Sequence, residues 1–136
     1  MPNASALALT GFIAWSLALL VLMELARTWM VLRGQIPANG FVPDNANLSP
    51  FMQRLARALA NCLEGLPIFG GILVVALVTG RAGVTDALAP LLLVARIVQS
   101  LIHLVSVSSA AVRLRFTAFA IQMVIGVIWC YQLLLY

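Results

Sequence analysis

Residues 54–71, RLARALANCLEGLPIFGG, set an apolar helical run beside two arginines, an asparagine and a glutamate. At about 100° per residue, with Arg57 at zero, Arg54, Asn61 and Glu64 fall at about 60°, 40° and −20°. The four side chains therefore share one stripe, roughly 80° wide, that follows the helix for two to three turns. Ionisable groups at membrane depth cost at least about 2.5–3.5 kcal/mol each by insertion scales, and they face a bundle interior or a wet cavity. Pro67 removes a helix hydrogen bond and crowds the Leu63 carbonyl. A kink is expected near Glu64, loosened further by Gly70 and Gly71.

The rest of the chain places that stripe in lipid. Of 136 residues, 63% are hydrophobic and 9% charged, against about 45–50% and 25% in ordinary soluble domains. That excess cannot be buried inside one water-soluble domain of this size, so lipid must solvate much of the surface. The formal charge is +4 and every basic side chain is arginine. Those arginines are scattered among apolar runs rather than gathered on a solvated patch, which speaks against nucleic acid as a partner. Cys62 and Cys130 each lie in an apolar run and imply no disulfide framework. The opening stretch lacks a basic start, and its apolar run exceeds the roughly 7–15 residues of a signal peptide. It is expected to be a retained first span.

Crossing the hydrocarbon core takes about 20 mostly apolar residues, and four segments qualify: Ala6–Val31, Ala58–Val78, Ala87–Val107 and Phe116–Leu135. With their flanks, helices are expected over about 6–31, 49–79, 85–109 and 113–135 in one domain, residues 1–136. Ser49-Pro50 suits an N-cap followed by proline at the first helical position, and Thr85 is a candidate cap for the third helix. The second and third connections are short, so the expected fold is all-α, an up-down four-helix membrane bundle. Arg33, Arg54 and Arg57 flank loop one, Arg113 and Arg115 flank loop three, and loop two has only Arg81, offset by Asp86. The charge bias predicts that loops one and three are cytoplasmic, with both termini on the far side.

Cation, amide and anion in that order suit a zwitterionic, peptide-like ligand: Arg57 for a carboxylate, Asn61 for a backbone amide, Glu64 for an ammonium. The plainer alternative is that Arg57 and Glu64 neutralise each other or partners on adjacent helices. A second stripe runs through the third helix, where Gln99, Ser100 and His103 lie about −60°, 40° and −20° from Arg96. His103 has no second histidine, and both cysteines lie elsewhere, so no metal site is expected. On the first helix Glu24 and Arg27 are three residues apart and can pair. Trp15, Trp29, Trp129, Tyr131 and Tyr136 are candidates for interfacial belts.

RALANCLEGLPIF resembles the second-helix signature of the MAPEG superfamily, the membrane-associated proteins in eicosanoid and glutathione metabolism. The pattern is Arg-Ala-x-x-Asn-x-x-Asp/Glu followed by Pro and Phe, and the local spacing is most similar to the leukotriene C4 synthase and five-lipoxygenase-activating-protein branch. Length, four spans and an arginine on the third helix agree over nearly the whole chain. The resemblance implies a homotrimer, of bacterial inner-membrane type, that binds glutathione between subunits as co-substrate. Arg57, Asn61 and Glu64 would be its principal contacts. Arg96 and His103 match an arginine and the tyrosine or histidine seven positions on, Arg54 flanks the site, and Arg27 matches a basic residue that joins it. Arg115 is the counterpart of the thiol-side, catalytic arginine, with Arg113 its rival. Gln99 and His103 stand where the leukotriene branch has tyrosines, a departure that bears on the substrate.

A thiol with a pKa near 8.5 is mostly protonated at neutral pH, and an adjacent arginine stabilises its thiolate. The implied activity is therefore transferase or peroxidase chemistry, the glutathione thiolate attacking an apolar electrophile dissolved in lipid. Two other classes compete: a non-catalytic lipid-binding scaffold of the same fold, and a small oligomeric transporter.

Overall fold

Asn3 opens the first helix by accepting a hydrogen bond from the Ala6 amide (2.8 Å), and α1 runs Ala4–Leu32. The computed structural model describes residues 3–136. Ser49 caps α2 as expected, its hydroxyl accepting from the Met52 amide at 3.3 Å, and α2 covers Pro50–Val78. That helix is α-helical to Gly65, passes through a π-helical turn at Leu66–Gly70, and resumes as α-helix over Gly71–Val78. The widened turn is the local answer to Pro67, which has no N–H to give the ladder. α3 is Ala89–Val105 and α4 is Ser109–Leu135.

Thr85 does not cap α3. A 3-10 turn at Ala82–Val84 precedes it, and α3 starts after Leu88 with no side-chain cap. The buried Thr85 hydroxyl instead meets Ser5 Oγ at 2.5 Å. This tertiary contact outbids the local one, and it leaves α3 shorter at its start than the expected 85–109. At its other end Ser106 is extended (φ −154°, ψ 153°) and its hydroxyl accepts from the Ser108 amide, which stops α3. Ser108 then caps α4 through the Ala111 amide, so α4 begins four residues before position 113. Three helices have the length and composition of membrane spans, and α3, with 17 residues, is the short apolar one.

Polar contacts at the two ends fix the up-down order. At one end the Ser5 amide and hydroxyl bind Asp86 Oδ1, while Arg81 donates to the carbonyls of Gln132 and Leu133. Both chain ends and loop two therefore meet there. At the opposite end Arg54 Nε donates to the Leu104 carbonyl at 2.9 Å, joining α2 to the end of α3. Packing follows the rule for helices in lipid, where small residues and van der Waals fit replace hydrophobic drive: Ser5, Ala8, Ser16, Ala89, Ala95 and Ala118 are all buried.

Two apolar clusters fill the bundle. One, near the termini, gathers Phe12, Phe69, Leu73, Leu92, Ile125 and Trp129; the other gathers Leu19, Met23, Met52, Leu55, Leu59 and Cys62. Trp129 is fully buried in the first cluster and is not an interfacial anchor, whereas Trp29, Tyr131 and Tyr136 are exposed. Position on the helix decided this: Trp129 lies on the same face as Ile125, which packs inward. Between the clusters lies a polar layer, Asn61, Arg96, Gln99, Ser100 and Gln122.

Candidate ligand-binding site

Arg96 anchors the polar layer. It has 0% of its surface exposed, donates from Nη1 to Asn61 Oδ1 at 2.5 Å and to the Asn61 carbonyl at 3.3 Å, and has no carboxylate among these partners. Its guanidinium sits 5.2 Å from the Phe12 ring and 5.9 Å from Phe119. Such desolvated cation–π contacts contribute about 2 kcal/mol or more, and here they stand in for a counter-ion. Room for the charge comes from Gly65, where a Cβ would fall 2.5 Å from Arg96 Nη2.

Asn61 Oδ1 also accepts from Gln99 Nε2 at 3.0 Å, and Gln99 Oε1 accepts from Gln122 Nε2 at 2.9 Å. Ser100 donates to the Arg96 carbonyl and meets Cys62 Sγ at 3.1 Å. The buried Cys62 thiol is thus committed inside the layer, and Cys130 is exposed in the apolar half of α4.

Arg57 and Glu64 flank Asn61 on α2 and are both exposed on the outer face of the chain. Neither makes a hydrogen bond within the chain among the described residues, so they do not neutralise each other here. They lie seven residues apart, about 10 Å along the axis. Beside them a groove of about 540 Å³ begins at Asn61 and Glu64 and continues between α2 and α4 past Phe69, Phe119, Met123 and Cys130. A smaller crevice of about 270 Å³ holds Arg54 and Arg57 with Gln53, Pro50 and Val107.

The remaining candidates separate into two groups. Arg115 Nη1 meets His103 Nδ1 at 3.1 Å. Arginine only donates, so Nδ1 accepts and the ring proton belongs on Nε2. His103 is one turn from Gln99 on α3, and Phe119, one turn from Arg115 on α4, lines the groove. This pair therefore lies one helical turn beyond the groove's Phe119, while Arg113 is exposed. Arg27 is placed elsewhere. It does not turn to Glu24 as an ion pair: Nε and Nη2 donate to Asn45 Oδ1 at 3.2 and 2.6 Å, Nη2 donates to the Val42 carbonyl, and the guanidinium stacks on Phe41. Glu24 is an exposed residue, whereas the buried Asn45 offers an oxygen held in place because its Nδ2 donates to the Met52 carbonyl. Arg27 fastens loop one to α1.

Gln122 was not among the sequence candidates. Its only signal was a lone amide within the apolar run AFAIQMVIG, and a helix-face argument confined to α2 and α3 passes over it. Phe12 and Phe119 were likewise indistinguishable from ordinary core residues.

A polar face and an apolar groove lie side by side on a four-helix bundle whose long apolar helices define an integral membrane protein. The chain matches the model of the MAPEG family over residues 6–135 and belongs to that family, whose members include glutathione transferases and related proteins. No curated protein and no solved structure gives a significant match.

Proposed function

We propose that this protein binds glutathione on the outer face of α2 and activates its thiol for attack on an apolar electrophile, as a transferase- or peroxidase-type membrane enzyme. The observation that carries the reading is the pair Arg57 and Glu64, oppositely charged, exposed on either side of Asn61 and without a hydrogen-bond partner among the described residues, with Asn61 and Glu64 at the head of an apolar groove. Bare charges facing lipid are costly, so something polar must cover them. A zwitterionic tripeptide of about their separation meets both charges, and a second subunit of a homotrimer closes the face over it.

Arg57 holds a carboxylate through its planar fork, Glu64 an ammonium, and Asn61 an amide carbonyl between them. Arg96 and His103 support the site from α3, Arg54 frames its entrance, and Arg115 stands nearest the thiol. The thiolate is the nucleophile; it forms the bond to the electrophile carried by the groove as the leaving group departs. Loops one and three lie in the bacterial cytoplasm, the side that supplies glutathione.

The test is glutathione binding to the detergent-purified full chain, followed by turnover of an aryl halide. Binding with turnover is the expected result; no binding overturns the reading. A second reading, a non-catalytic lipid-binding scaffold, draws support from Arg115, which already gives a donor to His103. Binding without turnover would select it.

A further inference from the structure

The amides between Arg96 and the middle of α4 form a chain whose direction is fixed at both ends. At one end Arg96, which can only donate, meets Asn61 Oδ1. At the other, Gln122 Nε2 donates to the Ala118 carbonyl at 3.1 Å, and a carbonyl can only accept. Reversing any amide between these ends sets oxygen against oxygen or N–H against N–H. The assignment of each side-chain oxygen and nitrogen therefore follows from the ends of the network. From Ala118 inward, Gln122 donates to Gln99, Gln99 donates to Asn61, and Arg96 donates to the same Asn61 oxygen.

The consequence falls on Asn61. Its Oδ1 has two lone pairs, and both are occupied by Gln99 and Arg96. Only the Nδ2 donors remain for the exposed side, where Asn61 borders the groove with Glu64. We infer that Gln122, buried on α4, is a positioning residue: acting through Gln99, it holds Asn61 so that the site offers two N–H donors and no acceptor at this point. The ligand group opposite Asn61 is then an acceptor, a carbonyl or carboxylate oxygen, and a ligand presenting an N–H there is rejected. A site that leaves a buried polar group unpaired discriminates strongly. Gln122 never touches the ligand. Its buried Oε1 has no partner among the described residues, a cost retained while its nitrogen is tied to both Ala118 and Gln99.

The identity of the ligand rests on the proposed glutathione function; the direction of the amide chain does not. Two measurements separate them. In ligand-free protein labelled with nitrogen-15, the side-chain amide signals of Gln99 and Asn61 are compared between the parent and Gln122→Met, which keeps length and removes both polar atoms. A shift of the Gln99 amide pair, transmitted to Asn61, is expected; unchanged signals in both residues overturn the inference. Glutathione affinity is then measured in a double-mutant cycle of Gln122→Met with Asn61→Ala. Gln122→Met should weaken binding about tenfold when Asn61 is present and scarcely when it is absent, a coupling within the range for linked hydrogen-bond partners. Equal losses in both backgrounds would mean a general structural role and overturn the inference. Gln99→Met breaks the same chain one link nearer and should show the same coupling, so a poorly folding Gln122 variant leaves the test decisive. Should the parent not bind glutathione at all, the functional reading fails while the amide signals still decide the relay.

Discussion

Arg57, Asn61 and Glu64 show how differently three residues on one helix face are used by the fold. Asn61 is tied into the bundle by Arg96 and Gln99, whereas Arg57 and Glu64 are exposed. Each Ala substitution should weaken glutathione binding by about 1.5–3 kcal/mol, the range for hydrogen bonds to charged groups, as read by calorimetry in detergent. Arg57→Lys should recover only part of the loss, because lysine lacks the planar fork. Three variants that bind like the parent would refute the site. Arg115 is expected to act on chemistry more than on affinity. Removing its positive charge raises the pKa of the bound thiol, so at fixed pH the thiolate fraction falls and its ultraviolet absorbance appears only at higher pH. Turnover should drop about 10²–10³-fold, as for loss of a donor aimed at negative charge. Arg113→Ala, exposed at the same turn, serves as control; if it removes the thiolate signal and Arg115→Ala does not, the roles are exchanged.

At the scale of the element, α2 combines a capped start, a polar face and a π-helical turn in one span. Gly65, the last residue of the regular part, leaves room for Arg96 of the neighbouring helix. In Gly65→Ala a Cβ would arrive 2.5 Å from Arg96 Nη2, while at Gly71 nothing lies within 4 Å. Gly65→Ala should therefore destabilise by about 1–3 kcal/mol, as overpacking does. Gly71→Ala should be neutral or stabilising by up to about 1 kcal/mol, since it only improves helix propensity. Thermal denaturation of the two variants in one detergent distinguishes these outcomes. Equal stabilities would show that the guanidinium moves aside at little cost.

For the whole molecule the question is which way the bundle crosses the membrane. The arginines of loops one and three lie at the end opposite both termini, and that end carries the Arg54–Leu104 and Arg27–Asn45 contacts. The proposed orientation predicts that reporter fusions at Tyr136 and within residues 35–47 report opposite compartments, with the loop cytoplasmic. A cytoplasmic C-terminus would place the α2 face where glutathione is scarce, and would count against the function as well as the topology.

Composition, the lengths of the apolar runs and the polar stripe of residues 54–71 were enough to determine a helical membrane bundle. Each of these depends only on neighbours along one helix and on the solvent outside it. The Ser49 cap and the disturbance at Pro67 were legible for the same reason, being local hydrogen-bond arithmetic. Contacts between helices were decided by the tertiary structure alone. Thr85 left its cap for Ser5, Arg27 turned to Asn45 rather than Glu24, and Trp129 entered the core. Helix periodicity places a residue on a face but says nothing of which helix that face meets. Gln122 is the clearest case: along α4 it is one amide in an apolar run, and it joins Asn61 and Arg96 only because α2, α3 and α4 bring their polar positions to one depth, where lipid offers no water to satisfy them separately.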